Sequence, residues 1–254
     1  MSASLAVYSF SFAAAYGKTS FYRSPGIEAE ELDCDSLYSA VLYLTSELST
    51  AVPADVEGHT APDISYTEIF DTLAKEYVST FGGPPPRIKL SGTSFFSRLG
   101  IRGLYFPYFG EITVNSEMPP YNIPFTAAHE MAHRYGVARE GEAGFLAFLV
   151  CVKSQEPYIR YSGCLSAYEY LSSELWRESP ALYFKALETL PEYARLDILA
   201  DREYAGESET GAVGALDGIR DAHLAVSGAG GESYSYLTKL VVSYIFSKTD
   251  SMPR

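Results

Sequence analysis

Residues 122–145 read NIPFTAAHEMAHRYGVAREGEAGF, and within them His129, Glu130 and His133 form an HExxH pattern. On a helix, residues four positions apart lie on the same face, so both imidazoles can reach one zinc ion at about 2.0–2.1 Å. The glutamate points about 100° away around the helix axis, where it can meet a water molecule that the metal activates. The pattern therefore predicts His129 and His133 as metal ligands and Glu130 as the general base.

The residues around the motif favour a helix over residues 125–135. We expect Asn122 to cap this helix, and Pro124 suits the first turn, where a missing N–H group costs nothing. Gly136 follows the last residue of the periodic pattern, which is where a helix commonly ends. The motif is thus expected to have the helical backbone that its spacing requires.

A catalytic zinc site needs a third protein ligand and an open coordination position. Two carboxylates, Glu140 and Glu142, follow the motif after the turn at Gly136. Glu142 leads into the apolar run 143–149, beside which an unpaired charge is costly to bury, so a nearby cation would stabilise it. The spacing of the residues leaves both Glu140 and Glu142 open as the third ligand.

Upstream of the motif, residues 111–115 alternate polar and β-branched side chains and predict a short strand. We expect this strand to lie at an edge of the sheet and to bind an extended peptide by adding it as a further strand. The predicted substrate-binding residues are Ile112, Thr113, Val114 and Asn115.

A zinc peptidase also needs a hydrogen-bond donor that stabilises the oxyanion. Tyr234 and His223 are the candidates for this catalytic role, with Tyr236 as a further choice. The chain has 21 tyrosines, so most tyrosines must have structural roles.

The rest of the chain is expected to be mostly helical, with apolar residues at helical spacing between glycine and proline breaks. Residues 206–218 are small and acidic and predict a mobile loop. The pattern indicates an α+β fold that is mainly helical, with a small sheet edge beside the HExxH helix. The predicted helices are 28–52, 65–81, 125–135, 142–152, 162–177, 180–189, 193–204 and 233–246, and the predicted strands are 87–91 and 111–115.

The composition excludes some classes of partner and site. A formal net charge of −13 without any basic stripe opposes binding to phosphate backbones, so we exclude nucleic acid as a partner. The acidity either favours cationic substrates or is simply a solvated surface. An odd count of 3 cysteines without a CxxC pair argues against a cysteine-rich zinc site.

Residues 5–16 read LAVYSFSFAAAY. This run is too short to span a bilayer, and no Lys or Arg precedes it, so it makes a poor signal peptide. It is either the stub of a transmembrane helix or an ordinary first helix docked on the core. We therefore divide the chain into a membrane-proximal segment, residues 1–20, and a catalytic domain, residues 21–254.

Several short stretches are also similar to a known family. They are Gly103–Pro107, Gly110–Glu111, Val114–Asn115, Pro124–Phe125, the HExxH, Gly136, Glu140–Ala143 and Phe145. In these pieces the chain resembles an uncharacterised bacterial family, domain-of-unknown-function family 3810. Its members look like gluzincin peptidases carried behind N-terminal transmembrane helices. The resemblance implies a zincin-like (gluzincin-type) fold and membrane association through an upstream anchor.

The resemblance further implies a choice between the two candidate carboxylates. It identifies Glu140 as the third zinc ligand and leaves Glu142 as the runner-up. Gly144 departs from the family pattern, where a polar residue is expected to hold a histidine ligand. This departure leaves the three metal ligands intact.

Together these features predict a zinc metallopeptidase with one catalytic Zn²⁺ ion and peptide or protein substrates. Two alternatives stay open. One is a catalytically inactive, peptidase-like binding domain, and the other is a zinc amidase that acts on a non-peptide amide of the cell-wall type. Peptide hydrolysis that a chelator abolishes would distinguish the peptidase from the binding domain.

Overall fold

The computed structural model describes residues 32–49, 58, 60–92, 94–98, 100–209 and 231–249. Helices dominate this part of the chain, and a three-stranded sheet accompanies them, which confirms the prediction of a mainly helical α+β fold. The helices are α1 (Cys34–Leu48), α2 (Tyr66–Phe81), α3 (Ser94–Arg98), α4 (Asn122–Arg134), α5 (Glu140–Lys153), α6 (Pro157–Glu178), α7 (Pro180–Thr189), α8 (Glu192–Glu209) and α9 (Gly231–Thr249). The strands are β1 (Arg87–Ser91), β2 (Gly103–Phe106) and β3 (Glu111–Asn115).

Local capping chemistry sets the ends of the helices that the sequence predicted best. α2 begins after Ser65, whose hydroxyl accepts from the N–H of Glu68 while the Glu68 carboxylate accepts from the N–H of Ser65. The Ser179 hydroxyl caps α7 by accepting from the N–H of Leu182, and Pro180 takes the first helical position. The predicted helices 65–81 and 180–189 are confirmed to within one residue.

Several other predicted boundaries are wrong by two to six residues; α6, for example, begins at Pro157 and not at residue 162. α1 is shorter than the predicted helix 28–52, because the Asp33 carboxylate caps it by accepting from the N–H of Ser36 at 2.8 Å. α8 is longer than predicted and continues to Glu209, so the first residues of the predicted loop 206–218 are helical. The rest of that loop lies outside the described residues.

The sheet has the strand order β1–β3–β2, with β1 parallel and β2 antiparallel to β3. β3 therefore lies in the centre of the sheet, and the prediction that residues 111–115 form an edge strand is wrong. The physical reason is that β1, which the sequence could not place, pairs along the side of β3 that was expected to be free. Within the described sheet, β2 is an edge strand.

Helix α4 packs against α2, α5, α6, β2 and β3. Two hydrogen bonds fix it in place. The hydroxyl of the fully buried Tyr77 donates to the carbonyl oxygen of Ala128 at 2.6 Å, and the N–H of Phe125 donates to the hydroxyl of Ser162 at 3.0 Å. These contacts set the rotation and height of the helix that carries the motif.

Asn122 does not cap α4 as predicted. Tyr121 holds the N-cap position, and Asn122 is the first helical residue. Its side chain instead binds an acid far along the chain: Nδ2 of Asn122 donates to Oδ1 of Asp201 at 2.6 Å. Arg102 donates to the other oxygen of Asp201 at 2.7 Å. One carboxylate of α8 therefore ties the start of α4 to the residue that precedes β2.

Within the described residues, no helix combines the length and the apolar character needed to cross a bilayer. The predicted membrane-proximal segment, residues 1–20, lies outside them. The division of the chain at residue 20 therefore stays a prediction.

Candidate metal centre

Helix α4 brings the two motif histidines together. Their Nε2 atoms are 3.0 Å apart, and the rings meet edge to face at 85°. The side chain of His133 is only 7 % exposed, whereas that of His129 is 21 % exposed. The two imidazole nitrogens therefore converge at the border between the core and the solvent.

Glu140, the first residue of α5, joins the two histidines. The chain turns after α4 at Gly136, whose φ of +93° lies in the left-handed region that favours glycine. Oε2 of Glu140 is 3.0 Å from Nε2 of His129, and Oε1 is 3.4 Å from Nε2 of His133. Among the described residues, this trio is a group that could hold a metal ion, with ligand atoms within 4.8 Å of one another.

The separations fit a zinc site. A tetrahedral zinc ion with bonds of about 2.0–2.1 Å holds neighbouring ligand atoms about 3.3 Å apart. The two histidine nitrogens are 3.0 Å apart, and a Glu140 oxygen lies 3.0 Å from the first (Oε2 to His129) and 3.4 Å from the second (Oε1 to His133). Two imidazoles and one carboxylate also form a donor set that leaves a fourth zinc position open. The residues present therefore fit the predicted ion.

Hydrogen bonding shows why this cluster favours a cation. Nδ1–H of His133 donates to the carbonyl oxygen of Val137 at 2.8 Å, so Nε2 of the neutral ring carries a lone pair that faces His129 and Glu140. Burial lowers the pKa of His133, but the hydrogen bond and charge of Glu140, with the charge of Glu130, outweigh burial and raise it to about 9. Positive charge is therefore stabilised at this point.

Glu142, the other candidate ligand, has a different environment. Its side chain is only 5 % exposed, and Oε1 lies 3.3 Å from Nη1 of Arg139. This ion pair supplies the partner that a buried carboxylate beside an apolar helix requires. The structure brings Glu140, and not Glu142, into the group with the two histidines.

Glu130 lies beside the cluster, between α4 and β2, and is 9 % exposed. A Cβ atom placed on Gly103 of β2 would lie 2.8 Å from Cγ of Glu130 and 2.9 Å from its Oε1. The charge of Glu130 contributes to the raised pKa of His133, so the carboxylate lies within electrostatic reach of the ligands. This position suits a base that serves the metal site without being a ligand.

Most of the β3 residues that were predicted to bind substrate have a structural role in the core instead. Ile112 and Val114 are fully buried in the core. Asn115 is also fully buried, and its amide donates to three oxygen atoms at distances of 2.7–3.1 Å. Thr113 is half-buried. Since β1 and β2 pair with both sides of this strand, no peptide can be added to its backbone.

The two candidate oxyanion donors stay predictions. Tyr234 lies within α9, but its side chain falls outside what the structure describes, and His223 lies outside the described residues.

Sequence reasoning also missed a residue at the site, Gly103, which it used only as part of the resemblance. The available signal was a glycine inside a strand-like segment, which marks a close approach of two backbone elements.

The fold and the site define a mainly helical α+β protein with a His-His-Glu cluster that could hold a metal ion. The chain belongs to the family described as Protein of unknown function (DUF3810), whose model matches residues 1–242. This match confirms the resemblance seen in the sequence. No curated protein and no solved structure matches the chain. The family description gives no activity.

Proposed function

We propose that the protein is a zinc-dependent metallopeptidase in which His129, His133 and Glu140 hold one Zn²⁺ ion. The observation that carries this proposal is the convergence of their acceptor atoms at separations of 3.0–3.4 Å, with a further acid, Glu130, on the helix of the two histidines. A bound zinc ion would polarise the scissile carbonyl and lower the pKa of a water molecule.

The side chains around the ion would then move the proton and hold the geometry. Glu130 accepts the proton of the attacking water and passes it to the leaving amine. Its place directly after His129 turns it about 100° away from the ligand face, which keeps its carboxylate available as a base. The bond from Nδ1–H of His133 to the Val137 carbonyl fixes the tautomer and the orientation of that ring.

The free side of β2 is the proposed binding site for the substrate. An extended peptide can add to an edge strand through main-chain hydrogen bonds, and β2 is paired only with β3 in the described sheet. Gly103 at the start of β2 lies against Glu130. A peptide added along this edge would therefore pass the base, which favours extended peptide or protein segments as substrates.

The proposal includes a zincin-like (gluzincin-type) fold and membrane association. The succession β2, β3, α4 and α5, with the HExxH on the first of these helices and Glu140 at the start of the second, supports the fold. Membrane association is supported only by the apolar residues 5–16 and by the family resemblance.

Metal content and hydrolysis test the proposal directly. Purified protein should bind one zinc ion per chain and should cleave members of a mixed peptide library, and a chelator should abolish cleavage. Glu130→Gln should retain zinc and lose turnover, whereas His129→Ala should lose both. Protein that binds no stoichiometric zinc would contradict the proposal.

A matched pair of variants tests the third ligand. Glu140→Gln removes the carboxylate that faces the histidines and should greatly weaken zinc binding. Glu142→Gln removes a carboxylate two residues away that is paired with Arg139, and it should retain zinc. If a zinc-loaded wild type cleaves no peptide, the inactive binding domain is favoured. Cleavage restricted to cell-wall type amides would favour the amidase instead.

A further inference from the structure

We infer that Gly103 is a positioning residue for the base: its missing side chain lets β2 lie so close to α4 that the strand holds the Glu130 carboxylate in place. This inference rests on the proposed function for its catalytic consequence. The close approach itself is a property of the fold, and it can be tested without any activity.

Position 103 requires glycine because the space between β2 and α4 is too small for a side chain. Gly103 is not among the glycines with positive φ, so a larger residue could adopt its backbone conformation. A Cβ atom there would lie 2.7 Å from Cγ2 of Thr126, 2.8 Å from Cγ of Glu130 and 2.9 Å from its Oε1. Carbon atoms attract each other best at about 3.5–4.0 Å, so a methyl group would require either both side chains or the strand to move.

The two side chains under Gly103 belong to one face of α4. Thr126 and Glu130 are four residues apart and lie one above the other, so β2 packs along a single stripe of the helix. Thr126 is 8 % exposed and Glu130 is 9 % exposed. Thr126 is also β-branched and therefore has few rotamers on a helix. Thr126 can give way only by turning to its other common rotamer, whereas the longer and more flexible Glu130 can move its carboxylate farther.

The start of β2 cannot easily retreat from the helix. Arg102 precedes Gly103, and its carbonyl oxygen accepts from the N–H of Asn115 at 2.8 Å. Its guanidinium binds Asp201, whose other oxygen binds Asn122 of α4. The strand and the helix are thus tied to the same carboxylate close to the contact. An added methyl group should therefore displace Glu130 rather than the strand.

The expected displacement is large enough to affect catalysis. Relieving contacts of 2.8 and 2.9 Å requires a shift approaching 1 Å, and a misplacement of about 1 Å can cost about 100-fold in rate. Gly103→Ala should therefore lower kcat by about 100-fold while KM and the zinc content change little. The free edge of β2 and the three metal ligands are retained in this variant, which is why binding is spared.

The decisive experiment compares crystal structures of the full chain, wild type and Gly103→Ala, with zinc bound. We expect the Glu130 carboxylate to move away from β2 while the strand stays within a few tenths of an ångström. A strand that swings outward and leaves Glu130 in place would overturn it. The structural comparison can be made even if the wild type cleaves no peptide. Its outcome therefore tests the positioning role of Gly103 independently of the proposed function.

Two further variants separate positioning from a loss of packing. Thr126→Ser in the Gly103→Ala background removes the methyl group nearest to the new Cβ but leaves the contact with Glu130. This double variant should regain thermal stability while kcat stays low, and recovery of both together would contradict positioning. Leu44→Ala, at a fully buried position of α1 outside the site, should lower stability and leave kcat unchanged.

Discussion

Glu169 of α6 should make the stability of this protein depend on pH in an unusual direction. It accepts a hydrogen bond from the Tyr121 hydroxyl at 3.0 Å, next to the start of α4. Burial raises the pKa of Glu169 to about 7, and the charge of Asp201 adds to this, while Tyr121 and the guanidinium groups of Arg102 and Arg202 oppose it. We therefore expect a carboxyl group that stays protonated in the folded state well above its usual range.

The sign follows from comparing the folded and unfolded states. Because the pKa is higher in the folded state, that state binds more protons between pH 4.5 and about 7, and stability falls as pH rises through this window. A rise from 4.5 to about 7 corresponds to about 3 kcal/mol for a fully buried group. Since Glu169 is only half-buried, we expect a loss of about 2 kcal/mol after allowing for solvent screening.

Denaturant unfolding of wild type and Glu169→Gln from pH 4 to pH 8 measures this effect. Other carboxyl groups titrate in both proteins, so the difference in unfolding free energy between them isolates Glu169. The amide cannot ionise but can still accept from Tyr121. The variant should match the wild type near pH 4 and be about 2 kcal/mol more stable near pH 8. A difference that does not change with pH would refute the reasoning.

Two other predictions concern helix α4 and the proposed metal site. Tyr77→Phe removes the hydrogen bond to the Ala128 carbonyl and should cost about 1 kcal/mol, or about 2–4 °C in Tm; an unchanged Tm would show that the bond contributes no net stability. Zinc at 100 times its dissociation constant should stabilise the wild type by about 2.7 kcal/mol, measured as a Tm shift that a chelator reverses. His133→Ala should lack this shift, and an equal shift in that variant would place zinc elsewhere.

The sequence predicted features that depend on neighbouring residues and failed where distant residues decide. Ser65 and Ser179 cap their helices with residues three positions away, so the starts of α2 and α7 were predictable. Asn122 has the chemistry of a cap, but Asp201, 79 residues later in the chain, recruits its amide. Nothing near Asn122 in the sequence reveals that partner.

The same distinction explains the errors and open choices at the site. Residues 111–115 were correctly predicted as a strand, but their central place depends on a parallel pairing with β1, which no local pattern encodes. Glu140 and Glu142 are two residues apart and point to nearly opposite sides of α5. Which of them faces the histidines depends on how α5 crosses α4. The histidine pair, in contrast, follows from helical spacing alone.

The uneven exposure of the three candidate ligands bears on whether the site would be structural or catalytic. A structural zinc site is closed by four protein ligands, whereas a catalytic site keeps one position for water or substrate. Here His133 is 7 % exposed and held by Val137, while His129 and Glu140 are 21 % and 19 % exposed. The cluster is therefore more exposed on the side of His129 and Glu140 than on the side of His133. Glu130 lies on the same helix as the two histidines, and its charge contributes to the raised pKa of His133. A bound metal and the proposed base would therefore lie close together, which favours hydrolysis over a purely structural role.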